Sequence, residues 1–123
     1  MDKVFEPGPG RIFVFGSNLS GIHGAGAALV AYEQYGAVWG QGIGLYGSSY
    51  AIPTKDLGLR TLPLDSISYY VNCFTLEALN RQDLRFFVTR IGCGLAGYTD
   101  DEIAPLFKNA PPNCELPYGW KAP

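Results

Sequence analysis

The fold of this chain is decided by the stretch FFVTRIGCGLAGYTDDE, which covers residues 86–102. It opens with β-branched and aromatic residues and lacks the alternation that marks a strand with one wet face. It therefore predicts that residues 84–91 form a central strand covered on both faces. Three glycines follow within residues 92–97, and the chain restarts as a helix at Thr99-x-x-Glu102, the sequence form of a capping box. A strand, a glycine loop and a helix start together predict backbone N–H groups that face an anion, usually a phosphate.

The length, charge and composition of the chain indicate its domain count, its partners and its compartment. With 123 residues, we expect a single domain over residues 1–123 that is long enough to bury a core. The formal net charge of −2, with Lys and Arg scattered singly, predicts neither duplex nucleic-acid binding nor a polybasic membrane patch. No apolar run is long enough to span a membrane, and a signal-peptide pattern is missing. We therefore expect a cytoplasmic protein.

The three cysteines indicate the same compartment. They are an odd set without the spacing of metal ligands, which predicts reduced thiols in a cytoplasmic protein. The sequence predicts no metal site and no cofactor, and it does not indicate an oligomeric state.

A first strand and helix lie well before the quoted stretch. Residues 11–16 form a buried-type strand, and the polar, glycine-rich residues 17–26 lead from it into a helix. Apolar residues of that helix recur at helical spacing, at positions 25, 28, 29 and 32. Gly36 is typical of a helix stop. The small residues predict a helix that lies close to a sheet.

A second strand and helix follow. Residues 40–47 are too rich in glycine for a regular element, and residues 49–53 form a short strand that Pro53 ends or marks as an edge. Pro63 and Asp65 then introduce a helix that fades near Asn80. Its apolar face falls at positions 67, 70, 71, 74 and 78.

The end of the chain completes the pattern. Pro105 shortens the helix that begins at Asp100, and residues 114–117 add an edge strand. Residues 1–10 form an irregular arm and residues 118–123 a tail. Strands that alternate with helices predict a three-layer α/β/α domain with a mostly parallel mixed sheet. In such sheets, ligands bind beyond the carboxyl ends of the strands, where the loops after the strands converge.

The glycine motifs exclude two nucleotide-binding folds. Residues 92–97 match G-x-G-x-x-G, but the chain ends too soon after Gly97 for the rest of a dinucleotide fold. Gly24-x-Gly26 lacks the Lys-Ser/Thr of a P-loop. The remaining alternatives are phosphate-cradling loops in another α/β fold and plain tight turns.

Three polar positions have two interpretations each. His23 either contacts a ligand, as a general base for example, or lies in a loop with its ring at the surface. Cys93 is either a nucleophile activated by a helix dipole or a small buried side chain. Lys55 either contacts substrate or is solvated. Asp100 and Asp101 most simply favour the helix N-terminus.

The residues around the two glycine loops resemble the macro domain family, whose members bind ADP-ribose. In that family a strand ends in Asn, a glycine-rich loop opens a helix, and a later strand runs into a second glycine loop. The matching segments are FVFGSN at residues 13–18, GAGAA at residues 24–28 and TRIGCGLAG at residues 89–97. The resemblance covers roughly residues 11–107.

The second loop is most similar to the branch that removes ADP-ribose from glutamate or from DNA bases, whose loop reads Arg-Ile-Gly-Cys-Gly-Leu-Asp. The chain also resembles compact phage-encoded non-structural proteins of this kind. In the hydrolytic branch a Lys forms a covalent adduct with the ribose and the loop Asp resolves it. Lys55 is similar to that Lys, whereas Ala96 occupies the position of the Asp. Members also use a Gly-Asp pair to hold the adenine amine; residues 1–10 lack it, and Asp2 is a poor substitute.

Three function hypotheses remain, of which the first two follow from the resemblance. The first is a reader or sequestering protein for ADP-ribose or a related NAD-derived nucleotide, phage-encoded and acting in the host cytoplasm. The second is an ADP-ribosyl hydrolase that uses Lys55 on ADP-ribosylated protein or nucleic acid. The third is an interaction protein whose glycines only make turns. For the ligand the resemblance implies Asn18 near the distal ribose, Tyr98 over the ribose, and phosphate contacts from His23, Gly24, Ala25, Gly26, Gly92, Cys93, Gly94, Leu95, Ala96 and Gly97.

Overall fold

A computed structural model describes residues 2–120 of the chain. Its elements in order are β1 (Arg11–Asn18), α1 (Gly26–Gln34), β2 (Gly44–Tyr46), β3 (Ser49–Lys55), α2 (Leu64–Asn80), β4 (Arg85–Val88), α3 (Asp100–Ile103), a 3-10 turn (Ala104–Phe107) and β5 (Cys114–Glu115). Strands and helices alternate as predicted, apart from β2. Residues 2–8 carry no regular secondary structure, while Met1 and residues 121–123 of the predicted arm and tail lie outside the described residues.

The five strands form one mixed sheet in the order β2-β3-β1-β4-β5. β1 runs parallel to β3 and to β4, and β5 runs parallel to β4. Only β2 is antiparallel to its neighbour among these strands. The prediction of an α/β fold with a mostly parallel mixed sheet is confirmed.

The middle of the sheet is β1 rather than the strand of the quoted stretch. β4 is an interior strand, because it lies between β1 and β5, but it ends at Val88 and not at Ile91. The chain turns immediately afterwards, since the Ile91 N–H donates to the Thr89 carbonyl at 2.7 Å. The apolar run therefore continues past the end of the strand into the loop.

The sheet carries buried clusters that use alternate residues of β1. Ile12 and Val14 belong to a cluster with Phe74 of α2, whereas Phe13 and Phe15 belong to a second cluster. The second cluster also contains Phe5, Ala28, Ala31, Ala37 and Ala51. A strand with apolar side chains on both faces thus serves two clusters, which explains why its sequence shows no alternation.

The apolar face predicted for α1 is partly wrong. Ala28 and Ala31 are buried, but Ala25 lies before the helix and is exposed, and Tyr32 is exposed. Tyr32 packs against Trp39 instead, with the two ring centroids 5.3 Å apart. Two alanines on the buried face bring the backbone of α1 close to the sheet.

Two predictions around β3 also need correction. The glycine-rich residues 40–47 contain a regular element after all, the edge strand β2. β3 continues through Pro53 to Lys55. β2 pairs only with residues 49–51 of β3, so Pro53 lies where that side of the strand has no partner strand and needs no N–H.

The two later helices follow their sequence signals. α2 buries Ile67, Val71, Phe74 and Ala78 and ends at Asn80, as predicted. The Glu102 carboxylate accepts the Thr99 N–H at 3.0 Å, and α3 gives way to a 3-10 turn at Pro105. Within residues 2–120, no helix is long and apolar enough to cross a membrane.

The segment of residues 38–42 packs backbone to backbone against the first glycine loop, which we define as residues 19–25. The Gly40 N–H donates to the Gly21 carbonyl at 2.9 Å, and the Ser17 hydroxyl donates to the Gly42 carbonyl. A Cβ on Gly42 would lie 1.9 Å from the Asn18 carbonyl oxygen. This contact fixes where the loop after β1 runs.

We therefore expect Gly42→Ala to lower the free energy of unfolding by about 3 kcal/mol or more, because the added methyl must displace backbone. Gly94→Ala is the matched control, since its Cβ would meet no atom within 4 Å. Chemical denaturation of both variants checks this. Equal stability of the two variants would contradict the prediction, because it would show that the segment of residues 38–42 can move to make room for the methyl group at little cost.

Candidate functional site

A cleft of about 530 Å³ lies at the carboxyl ends of β1, β3 and β4. Its walls are residues 16–18, 24–28, 54–55, 89–92 and 94–96, together with Ile22 and Leu59. It thus brings together Asn18, Lys55 and much of both glycine loops, the second of which we define as residues 92–97. Four residues predicted for the site, His23, Cys93, Gly97 and Tyr98, are not among its walls.

One wall of the cleft is the N-terminus of α1. The N-cap residue is Ala25, no side chain caps this end, and no acidic residue occupies the first turn. The first N–H groups of a helix have no partner inside the helix. Residues 26–28 line the cleft, so the positive end of the helix dipole lies at the cleft without a side-chain acceptor, an arrangement that favours an anion.

The second glycine loop forms another part of the cleft wall. Within residues 2–120, the N–H groups of Gly94, Leu95 and Ala96 find no hydrogen-bond acceptor. The loop is closed by the Gly97 N–H, which donates to the Gly94 carbonyl at 3.0 Å, and by the Tyr98 N–H, which donates to the Gly92 carbonyl at 2.8 Å. These turns leave the middle of the loop free to donate to a ligand.

The anion site in this wall is not the helix start that the sequence suggested. α3 has only four residues, three of them acidic in its first turn, and the Glu102 side chain caps it. The positive φ values lie at Gly92 and Gly97, whereas Gly94 has an ordinary φ and open space around it. The loop backbone, rather than a helix dipole, supplies the donors here.

The charge in the cleft is positive. Among the described residues that line it, Lys55 and Arg90 are cationic, and none carries a carboxylate. Lys55 is half-buried and is in no ion pair within residues 2–120. Arg90 is paired with Asp2 and Asp100, so the positive charge that an anionic ligand would meet without a carboxylate partner comes from Lys55.

Asn18 lines the cleft, but its side-chain amide is already hydrogen-bonded within the protein. Its Nδ2 donates to the Ile22 carbonyl at 2.8 Å, and its Oδ1 accepts the Ile22 N–H at 2.9 Å. This two-point contact closes the first glycine loop on itself. Asn18 thus holds the loop shape, and its remaining N–H and lone pair are what a ligand can use.

His23 lies neither at the surface nor in the cleft wall. Its ring is 0% exposed and packs against Phe15. Nε2 lies 2.9 Å from the Val38 carbonyl and 3.1 Å from the Gln41 carbonyl, so it carries the proton and donates. His23 therefore ties the first glycine loop to the segment of residues 38–42. A glycine-rich context gave no signal that this ring would be buried.

Cys93 is not an activated thiol. Burial, and then the Asp100 carboxylate 3.6 Å from Sγ, together raise its pKa to about 11. A thiol with such a pKa is protonated at neutral pH and is a poor nucleophile. The expected influence of a helix dipole fails because α3 is short and begins with acidic residues.

Tyr98 points away from the cleft. Its hydroxyl donates to the Leu62 carbonyl at 2.5 Å, and its ring packs against the larger buried cluster. The Thr61 hydroxyl donates to the Ala96 carbonyl at 3.0 Å. The second glycine loop is therefore held from behind by residues 61–62.

Arg90 is the main functional candidate that we did not single out from the sequence. Its Nε lies 2.8 Å from the Asp2 carboxylate and its Nη1 lies 2.6 Å from the Asp100 carboxylate, while Nη2 donates to the Tyr118 carbonyl at 2.9 Å. Trp120 Nε1 also donates to Asp100. This network, which we call the Arg90 network, pins both ends of the described chain beside the second glycine loop. Only its position directly after a strand hinted at such a role.

A second cavity, of about 660 Å³, adjoins the cleft. It shares Thr89 and Arg90 with the cleft and is otherwise lined by the N-terminal arm, β4, β5 and residues 116–118. Phe87 and Tyr118 give it aromatic surface. Asp2 lines it too, but its carboxylate is occupied by Arg90 and by the Tyr118 N–H.

Comparisons of the chain with protein-family models, with curated proteins and with solved structures gave no match. The case for a function therefore rests on the residues and geometry of the cleft.

The Arg90 network predicts a pH-dependent contribution to stability. The Trp120 indole N–H, and then Arg90, hold the pKa of Asp100 below its ordinary value of 3.8. A carboxylate with a lowered folded-state pKa stabilises the fold above its unfolded pKa, and this contribution is lost as the pH falls through the folded pKa. We expect Asp100→Asn to lower the melting temperature at pH 7 and to approach the wild type below pH 3.8.

Asp101→Asn is the control, because the Asp101 carboxylate takes part in no ion pair within residues 2–120. Thermal unfolding between pH 7 and pH 2.5 checks the prediction. A difference between Asp100→Asn and wild type that stays constant over this range would contradict it.

Proposed function

We propose that this chain is a macro-domain-like protein that binds ADP-ribose or a related NAD-derived nucleotide in the cleft. The finer architecture that we propose is a three-layer α/β/α sandwich, with α1 on one face of the sheet and α2 with α3 on the other. The two clusters that share β1 support it, because each contains residues from a different helix set. The resemblance of residues 13–18, 24–28 and 89–97 to the family gives the ligand class.

One observation carries the proposal: two sets of free backbone donors line the same cleft, and none of the described residues in its wall carries a carboxylate. One set is the uncapped N-terminus of α1, and the other is the N–H groups of residues 94–96. Each set suits one phosphate. Two sets in one cleft suit a diphosphate, and Lys55 adds positive charge.

The size of the site also suits a dinucleotide-like ligand. The cleft falls within the range of about 300–1,000 Å³ that is typical of small-molecule sites. The second cavity adjoins it at Thr89 and Arg90 and offers space with aromatic walls for a base. Because Asp2 is already paired, we expect the base to be held by packing, and it should add little affinity.

The residues of the cleft fit binding without turnover better than they fit hydrolysis. The resolving carboxylate of the hydrolytic branch is replaced by Ala96, and Asp100 is held in the Arg90 network outside the cleft. A general base must come within hydrogen-bond reach of the reacting group, and no described residue of the cleft wall supplies a carboxylate for it. A protein that reads or sequesters an NAD-derived signal, phage-encoded and acting in a host cytoplasm, is the role that we propose.

The direct test is calorimetric titration with ADP-ribose and with AMP, repeated on Gly94→Val. We expect ADP-ribose to bind and AMP to bind much more weakly, because AMP fills one phosphate site. Gly94→Val should abolish binding and leave the fold intact, since the new side chain enters the cleft and not the protein.

Gly8→Val is the control, because Gly8 has an ordinary φ and lies outside the cleft. Equal affinity for AMP and ADP-ribose, or full affinity in a folded Gly94→Val, would overturn the two-sided phosphate site.

A second experiment separates a binder from a hydrolase. Wild type, Ala96→Asp and Lys55→Ala are incubated with ADP-ribosylated protein and with ADP-ribosylated DNA, and released ADP-ribose is measured. We expect little release by wild type and more by Ala96→Asp, which restores a carboxylate in the cleft. Rapid release by wild type that disappears in Lys55→Ala would show that the chain is an enzyme.

A further inference from the structure

We propose that the cleft selects nucleotides whose terminal ribose carries an uncharged ring, and that Leu59 and Leu95 are the residues that make this selection. The inference rests on the proposed function and names the ligand class within it. It follows from a loop that takes no part in phosphate binding. We call this loop, residues 56–62, the bridging loop.

The bridging loop lies between the two glycine loops. The Ser20 hydroxyl donates to the Leu57 carbonyl at 2.5 Å, which joins the bridging loop to the first glycine loop. The Thr61 hydroxyl donates to the Ala96 carbonyl at 3.0 Å, which joins it to the second. The bridging loop follows directly on Lys55, so it forms the rim of the cleft at the Lys55 end.

Within the bridging loop, the backbone holds Leu59 in an unusual conformation. The Asp56 carboxylate accepts the Gly58 N–H at 2.8 Å and the Arg60 N–H at 2.9 Å, and this turn leaves Leu59 at a φ of 64°. Among residues 2–120, Leu59 is the one non-glycine residue with a positive φ. A leucine strained in this way, with its side chain in a cleft wall, points to a use for that side chain.

Two more aliphatic residues of the cleft wall belong to the glycine loops that the bridging loop joins. Leu95 of the second glycine loop is 73% exposed and Ile22 of the first is 40% exposed, compared with 45% for Leu59. All three line the cleft. A ring on the terminal ribose would cover apolar surface that water otherwise contacts, and this burial favours binding.

The charge at this end favours an uncharged ring. Lys55 lines the same cleft, and none of the described residues in the wall carries a carboxylate that would offset a positive ring. A pyridinium would be repelled by the ammonium group, whereas a neutral ring would not. The neutral dihydronicotinamide of NADH and the pyridinium of NAD⁺ present these two cases on the same ribose.

The experiment is a calorimetric titration of wild type, Leu59→Gly, Leu95→Ser and Leu57→Ser with ADP-ribose, NADH and NAD⁺. For wild type, we expect NADH to bind about fivefold to tenfold more tightly than ADP-ribose, as burial of a small apolar area implies. NAD⁺ should bind more weakly than NADH. Leu59→Gly should lose most of the preference for NADH and keep its affinity for ADP-ribose, and Leu95→Ser should also lose most of the preference for NADH.

Leu57→Ser is the matched control, because Leu57 is as exposed as Leu95 but is not in the cleft wall. Leu59→Gly should fold at least as stably as wild type, since glycine tolerates the positive φ. Two outcomes would overturn this inference and leave the proposed function in place. One is binding of ADP-ribose by wild type without a preference for NADH, and the other is loss of that preference in Leu57→Ser. Failure of all three nucleotides to bind would overturn both.

Discussion

The contact between Gly42 and the Asn18 carbonyl is the constraint on which the site depends. It leaves no space for a side chain, and it brings the segment of residues 38–42 against the loop that leaves β1. His23, buried behind that loop, adds hydrogen bonds from its ring to the same segment. With the loop held in this way, α1 begins near the carboxyl end of β1, and its uncapped N-terminus lines the cleft. Ala25 at the N-cap has no side-chain oxygen to accept the first N–H groups of the helix, so these donors are left for an anion.

The second glycine loop is fixed in a different way. Thr61 and Tyr98 hold it from behind, while the Arg90 network fastens the N-terminal arm and residues 118–120 beside it. The N–H groups of Gly97 and Tyr98 donate to carbonyls within the turns of this loop, whereas those of residues 94–96 stay free among the described residues. Contacts within the protein thus hold both walls of the cleft, which would reduce the ordering entropy that opposes binding of the proposed ligand.

The order of strands and helices was predictable because it depends on local patterns, such as the apolar face of α2 and the capping box at Thr99. The contact of both glycine loops with one cleft was also predictable, since loops after parallel strands meet at one edge of a sheet. What could not be predicted depends on partners far along the chain. The burial of His23 needs residues 38–41, the role of Arg90 needs Asp2, and β2 forms in a glycine-rich segment because β3 offers it an edge.

The central claim is that two sets of backbone N–H groups hold one ligand. Amide NMR of the nitrogen-15-labelled chain during titration with ADP-ribose tests it most directly. The account predicts that the amide resonances of residues 26–28 and of residues 94–96 shift together, with one common midpoint. Shifts in only one of these two segments, or midpoints that differ between them, would contradict it.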